Sequence, residues 1–216
     1  QRQTRAVQRT AADQIINLGN ARTTITDLND RPDFVIDDAD AADRATRVTV
    51  AETAIDSLLA EGDDVAKTEA LRLRGDLYRI LARQAKLGDT FEEPAEYAEL
   101  ALLAYEAAIS DASSATGVQA QQRIAARLGL AAAYEDLQRV DDARAQYTAV
   151  EEDPAATQYE KLVATQRLEM LDEIIGYRGM PAPNFATPAT QPADEPATQP
   201  ATQPAEVEDE SDIPTE

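Results

Sequence analysis

The sequence predicts an all-α protein of about seven helices followed by a disordered tail. Ala is abundant, and apolar residues recur at intervals of three and four, which is the spacing of one helix face. Strand-like alternation of apolar and polar residues is nearly absent. Gly and Pro interrupt the apolar pattern at a few points, where helices are expected to end or begin.

The first three helices are predicted over residues 4–28, 39–61 and 64–87. The first ends before Pro32, because proline cannot continue a helix. Gly62 and Gly88 end the second and third, since glycine readily takes the conformation that closes a helix. Asp37 and Asp38 precede the second helix, where negative charge suits the N-terminal dipole.

The last four helices are predicted over residues 94–110, 117–138, 141–151 and 155–175. Pro94 is favourable in the first turn of a helix, and Gly117 follows a Ser- and Ala-rich connection. Pro154 separates the sixth helix from the seventh, and Gly176 ends the seventh. The short connections predict antiparallel neighbours.

The last 36 residues differ in composition from the rest. They hold 8 of the 11 prolines and no Lys or Arg, and the unit Ala-Thr-Gln-Pro recurs three times within them. Such a segment favours extended polyproline II and buries too little apolar surface to offset the entropy lost on ordering. We therefore predict a helical domain over residues 1–180 and a disordered, acidic tail over residues 181–216.

The composition excludes several classes of function. The 216 residues include 41 Asp and Glu against 20 Lys and Arg, a formal net charge of −21, and there is no Cys or His. Without Cys and His there is no disulfide, no common type of zinc site and no Cys–His or Ser–His nucleophile pair. The negative charge argues against a nucleic-acid partner, because phosphate binding needs positive surface.

Other catalytic or metal-binding motifs are also missing. An EF-hand that began at Asp38 would need Gly and Glu where Asp43 and Thr49 stand, so helix-start acids explain this cluster. There is no Gly-rich phosphate loop, and no Trp to line a sugar site. We therefore expect a non-catalytic protein with no cofactor and no bound metal.

Two of the predicted helix pairs carry a spaced motif. The later copy consists of Leu130, Ala131, Tyr134, Ala143, Tyr147, Val150 and Pro154. The earlier copy consists of Gly75, Tyr78, Ala101, Tyr105 and Ala108. This spacing resembles the tetratricopeptide repeat (TPR), in which small residues let two helices approach and aromatic residues fill the space beside them. The copies are stretched, since 42 residues separate Ala101 from Ala143 against about 34 in the family.

The resemblance is firmest over residues 71–154 and implies both a fold and a function. It implies antiparallel hairpins stacked as a short right-handed solenoid, with the first helix pair and the last helix as caps. It also implies a scaffold that binds a protein or peptide segment on a concave face, lined by the first helix of each hairpin. Arg127 departs from the family, which often has Trp there, and the Lys and Asn set with which some relatives clamp a C-terminal carboxylate is absent.

Six residues on the first helices of the two hairpins are candidates for partner binding: Arg72, Asp76, Arg79, Arg83, Arg123 and Arg127. Arg72, Arg79 and Arg83, here called the arginine stripe, share one face of the third helix and suit a carboxylate of a partner. The alternative is that they pair with acids of the domain itself. Exposure of the stripe favours a binding scaffold, whereas internal pairing favours a structural, self-associating component of a cell-envelope assembly.

The tail also carries an expectation about location. The Ala-Thr-Gln-Pro repeats resemble linkers of bacterial envelope and secreted proteins, and the whole layout resembles envelope proteins with an N-terminal membrane anchor. We therefore expect an extracytoplasmic or periplasmic protein; the sequence leaves open whether a membrane anchor precedes Gln1. The Arg-rich start at Arg2, Arg5 and Arg9 fits less well, because basic flanks prefer the cytoplasmic side. A cytoplasmic location is the alternative.

Overall fold

The computed structural model describes residues 2–30, 38–85 and 93–178, and the side chains of residues 11–30, 39–85 and 95–173. These residues form seven α-helices and no strand, which confirms the all-α prediction. The helices are α1 (Arg2–Asn29), α2 (Asp38–Glu61), α3 (Asp64–Ala85), α4 (Glu93–Asp111), α5 (Val118–Asp136), α6 (Val140–Glu152) and α7 (Gln158–Arg178). The predicted tail and the 86–92 connection lie outside the described residues.

The helix boundaries follow the predicted punctuation closely, except in α7. This helix continues to Arg178, past Gly176, which was expected to end it; an interior glycine costs only about 1 kcal/mol relative to alanine and does not by itself stop a helix. It also begins at Gln158, three residues later than expected. The Thr157 hydroxyl accepts a hydrogen bond from the Glu160 backbone, and the Glu160 carboxylate accepts bonds from the Thr157 backbone and hydroxyl. This reciprocal pair is a capping box, which fixes the first residue of a helix.

The helices contact one another in chain order. α1 with α2, α3 with α4 and α5 with α6 form antiparallel hairpins, and α7 packs along α6. The odd-numbered helices also contact one another, α1 with α3 and α3 with α5. Hydrogen bonds show that these neighbours run parallel. Arg22 and Asn29 of α1 bond in that order to Glu69 and Arg83 of α3, and Gln119 and Asp136 of α5 bond in that order to Thr68 and Arg79 of α3. A row of three parallel helices, α1, α3 and α5, therefore lies along one side of the hairpins.

Two clusters of buried side chains hold the described helices together. The first joins α1, α2 and α3 and includes Leu28, Ile55 and Leu77. The second joins α4 to α7 and includes Tyr105 and Leu130. Ala supplies many of the remaining buried positions, so the helices approach closely where their facing residues are small.

None of the helices in the described part of the chain combines the length and the apolar character needed to cross a bilayer.

Candidate partner-binding face

The ring of Tyr105 fills the junction between α3, α4 and α5. Tyr105 is 0% exposed. A Cβ added at Gly75 of α3 would lie 2.6 Å from two ring atoms of Tyr105, and one added at Gly129 of α5 would lie 2.5 Å from the ring. Real Cβ atoms do not approach that closely, so each glycine provides space for one side of the ring. The repeat motif identified Gly75 and Tyr105, whereas the role of Gly129 was missed.

The hydroxyl of Tyr105 is also satisfied inside the protein. It donates a hydrogen bond of 2.6 Å to Oδ1 of Asp76. Burial, and then the neighbouring Asp76 carboxylate, raises the pKa of Tyr105 well above its ordinary value, so the hydroxyl stays protonated. A buried, protonated hydroxyl cannot reach a substrate. Its role here is to join α4 to α3.

Asp76 belongs to a larger set of charged side chains that crosses the row of α1, α3 and α5. We call it the charged row, and its members are Arg22, Glu69, Arg72, Asp76, Arg79 and Asp136. Arg22 of α1 contacts Glu69 of α3 at 2.8 Å. Arg72 binds Glu69 at 2.7 Å and Asp76 at 2.5 Å, and Arg79 binds Asp136 of α5 at 2.7 Å. Each junction between neighbouring helices of the row therefore carries an ion pair.

Glu69 is the most buried acid of the charged row, with only 2% of the residue exposed. Burial favours its neutral form, but hydrogen bonds and charges from Arg72 and Arg22 outweigh that effect and lower the pKa of Glu69 below its ordinary value. Burial would lower the pKa of Arg72, but its hydrogen bond to Glu69 and the charges of Asp76 and Glu69 raise it above its ordinary value. Both groups are therefore charged at neutral pH, and the contact of Glu69 with Arg22 joins α3 to α1.

The α5–α6 hairpin repeats the arrangement of the α3–α4 hairpin in a modified form. Tyr147 of α6 donates a hydrogen bond of 2.5 Å to Glu135 of α5, as Tyr105 of α4 does to Asp76 of α3. Arg167 of α7 reaches Glu135 at 3.5 Å. In both hairpins, therefore, the aromatic residue of the second helix bonds to a carboxylate of the first.

The other motif residues occupy buried or half-buried positions. Ala101, Ala108, Leu130, Ala131 and Ala143 are buried, and so is Gly75. Tyr134 is buried, donates to Glu106 at 3.2 Å and lies beneath the guanidinium of Arg139. Tyr78 is half-buried, and its ring stacks with Tyr97 at a centroid distance of 6.2 Å.

Arg123, one of the predicted partner-binding residues, joins the ends of two helices. Its Nη1 donates to the backbone oxygens of Ala112 and Ser113 after α4, and its Nη2 contacts Asp153 after α6 at 2.8 Å. Arg127 is half-buried and lies within electrostatic range of Asp153, whose pKa the two arginines help to lower. These contacts are internal, so partner binding by Arg123 and Arg127 stays a prediction.

Arg123→Lys is expected to lower the free energy of unfolding by about 1–2 kcal/mol, because the guanidinium reaches the two carbonyls and the carboxylate from two separate nitrogens, whereas lysine has a single nitrogen that cannot span them. Urea unfolding of the full chain measures the change. The matched control is Arg144→Lys, which alters a more exposed ion pair with Asp172 and should cost less than about 0.5 kcal/mol. Equal losses in the two variants would show that the contacts of Arg123 stabilise the fold no more than an exposed ion pair does.

A groove of about 250 Å³ lies between α1 and α3, at the C-terminal ends of both helices. We call it the α1–α3 groove, and it is lined by Ile25, Thr26 and Asn29 of α1 and by Asp76, Arg79, Ile80 and Arg83 of α3. Three of the six predicted partner-binding residues therefore meet at one cavity. The other three, Arg72, Arg123 and Arg127, do not line it.

Arg83 differs from the rest of the arginine stripe. Arg72 and Arg79 are neutralised by acids of the charged row. Arg83 donates from Nη2 to the neutral Asn29 at 2.6 Å, its Nε has no hydrogen-bond partner, and no carboxylate of the described residues pairs with it. The α1–α3 groove thus contains one guanidinium whose charge is not balanced locally.

Comparisons with family models, with curated proteins and with solved structures give no match to this chain. Within the described residues, no group of three or more Asp or Glu side chains is placed to hold a metal ion. The candidate site is therefore the polar α1–α3 groove on a helical surface.

Proposed function

We propose that this protein is a non-catalytic scaffold, and that it binds a protein segment carrying a carboxylate in the α1–α3 groove. The observation that carries the proposal is the locally unbalanced charge of Arg83 in a groove that also offers Asn29 as a hydrogen-bonding side chain. A guanidinium binds a carboxylate more strongly than it binds a neutral amide, so a ligand carboxylate would displace Asn29. Ile25 and Ile80 supply apolar contacts on either side.

The helix contacts support the architecture assumed in this proposal. Antiparallel hairpins whose first helices lie in a parallel row are what a short TPR-like solenoid requires. In that architecture the α1–α3 groove belongs to the row of first helices, where a scaffold would receive a peptide. A location outside the cytoplasm stays a prediction that depends on the composition of the tail.

Selection of displayed peptides on the full chain tests this function. We expect enriched peptides to share an acidic side chain or a free C-terminus, and Arg83→Gln to weaken their binding about tenfold or more. Arg144→Gln is the matched control, because Arg144 pairs with Asp172 between α6 and α7, away from the groove. No enrichment, or equal losses in both variants, would contradict the proposal.

A second candidate function is a structural, self-associating role. It is favoured by the internal pairing of Arg72 and Arg79, which leaves only part of the arginine stripe for a ligand. The two functions use different surfaces, since the unbalanced Arg83 lies in the groove and self-association needs faces with little charge.

A further inference from the structure

A second groove lies on the side of α3 that is turned away from the α1–α3 groove. We call it the α2–α3 groove, and its volume is about 220 Å³. Its lining residues are Glu52, Ile55 and Asp56 of α2 and Arg74, Leu77 and Tyr78 of α3. Helical periodicity places these α3 residues opposite the α3 residues of the α1–α3 groove, so a ligand in one groove leaves the other open.

The α2–α3 groove carries one carboxylate that the domain does not neutralise. Glu52 and Asp56 lie one turn apart on α2, where like charges repel each other. Arg74 pairs with Asp56. Glu52 is exposed and has no hydrogen bond or ion pair with any other residue in the described part of the chain. The lining of the groove therefore has a net negative charge, which suits a cationic ligand.

An aromatic ring borders the same groove. Tyr78 is half-buried, and its ring stacks with Tyr97 of α4 at an interplanar angle of 29°. The buried side chains of Ile55 and Leu77 supply apolar contacts beside it. A planar guanidinium can lie against an aromatic ring and bind a carboxylate through its edge, whereas an ammonium group has no planar face. An arginine side chain therefore matches this lining better than a lysine side chain.

The surroundings of the groove also favour a basic ligand. α4 contains no Lys or Arg, and α2 contains none after Arg47. The chain as a whole carries a net charge of −21, which attracts a basic partner and repels an acidic one. Small-molecule sites usually span about 300–1,000 Å³, so the size of the α2–α3 groove fits a single side chain.

We propose that the α2–α3 groove binds an arginine side chain of a basic protein segment, with the guanidinium between Glu52 and Tyr78. This site goes beyond the carboxylate-binding function, because it uses another face of α3 and a ligand of opposite charge. A scaffold with both grooves holds an acidic segment and a basic segment on two sides of one helix.

A titration of the isotope-labelled full chain with the tripeptide acetyl-Gly-Arg-Gly-amide, followed by amide chemical shifts, tests this site. A single side chain should bind with a Kd on the order of 1–10 mM, and the saturable shifts should be concentrated at Glu52, Leu77 and Tyr78. The same tripeptide with citrulline in place of Arg keeps the shape without the charge and should give no saturable shifts. A Lys tripeptide should bind at least about threefold more weakly.

Three results would overturn the proposal. The first is the absence of saturable shifts with the Arg tripeptide. The second is a set of shifts spread over the acidic surface of the domain. The third is equal binding of the Arg tripeptide and either the citrulline or the Lys tripeptide.

Matched variants locate the site. Glu52→Gln keeps the shape of the side chain without its charge and should weaken binding of the Arg tripeptide at least about fivefold. Glu61→Gln removes the same charge from the same helix outside the groove and should change binding less than about twofold. Equal losses in these two variants would show a general attraction to an acidic protein and would refute the assignment to the groove.

The aromatic contact has its own pair of variants. Tyr78→Leu removes the ring and should weaken binding about threefold, whereas Tyr78→Phe keeps the ring and should retain it. Equal binding by wild type and Tyr78→Leu would refute the contact with the ring.

Two further measurements separate this site from the α1–α3 groove. Arg83→Gln should leave binding of the Arg tripeptide unchanged, and Glu52→Gln should leave binding of acidic peptides unchanged. A failure of one site is therefore distinguished from a failure of the other. Loss of Arg-tripeptide binding in Arg83→Gln would contradict the placement of the ligand in the α2–α3 groove. Circular dichroism confirms that each variant is folded.

Discussion

Replacing Tyr105 with Ala is expected to lower the free energy of unfolding by about 3–5 kcal/mol, the largest loss for any substitution considered. The ring is fully buried between Gly75 and Gly129, and its hydroxyl bonds to Asp76. Truncation removes the contacts that this side chain of α4 makes with both α3 and α5. Denaturant unfolding followed by circular dichroism measures the change.

The same site permits a sharper test of close packing. Gly75→Ala alone should destabilise by about 1–2 kcal/mol, because the clash with the ring outweighs the better helix propensity of Ala. In the Tyr105→Ala background the clash is gone, so Gly75→Ala should become neutral or stabilising. The coupling between the two changes isolates the contact. Additive effects would mean that the ring does not need the space at Gly75.

Glu69→Gln is expected to destabilise by about 2–3 kcal/mol, the second largest loss. The substitution keeps the shape of the side chain but leaves Arg72 and Arg22 without the carboxylate that both contact. The matched control is Asp142→Asn, in an exposed pair with Arg139, where the loss should stay below about 0.5 kcal/mol. Comparable losses at both sites would argue that burial of Glu69 has no energetic consequence.

The contribution of Glu69 should also depend on pH. Because the folded protein lowers the pKa of Glu69 below its ordinary value of 4.5, its stabilisation is complete above that value and is lost as pH falls through the lowered pKa. The stability difference between wild type and Glu69→Gln should therefore be constant from about pH 7 to about pH 5 and shrink in more acidic buffer. A difference that does not change with pH would contradict this assignment.

Much of the fold could be predicted from the sequence because its helices are punctuated by local signals. Pro154 lies just past the end of α6, because proline cannot continue a helix, and Gly62 directly follows α2, where an added Cβ would lie 2.3 Å from the backbone oxygen of Leu58. The late start of α7 also had a local signal, since Thr157 and Glu160 form the Ser/Thr-x-x-Glu pattern of a capping box. That signal was overlooked in favour of the proline.

The candidate site was less predictable because its contacts are distant in sequence. Arg22 and Glu69 are 47 residues apart, and Arg79 and Asp136 are 57 apart. Which acid neutralises which arginine depends on how α1, α3 and α5 are rotated against one another, and helical spacing within α3 does not determine this. Arg72 and Arg83 therefore looked equivalent in the sequence, whereas only Arg72 has acidic partners among the described residues.

The packing role of Gly129 was also missed in the sequence, although its position inside a helix was a local clue. A glycine inside a helix costs about 1 kcal/mol relative to alanine, so an interior glycine needs a packing reason. The motif supplied that reason for Gly75 but did not extend to Gly129, which lies against the Cε1, Cζ and hydroxyl atoms of Tyr105. An aromatic residue placed between two such glycines marks a junction of three helices.

Amide chemical-shift mapping tests whether the α1–α3 groove receives a carboxylate-bearing segment. An acidic peptide obtained by selection would be titrated into the isotope-labelled full chain, in parallel with the same peptide carrying amides in place of carboxyls. We expect shifts concentrated at Ile25, Asn29, Ile80 and Arg83, and we expect them to disappear with the amide peptide or in Arg83→Gln. Shifts concentrated on α7, or equal shifts with both peptides, would contradict it.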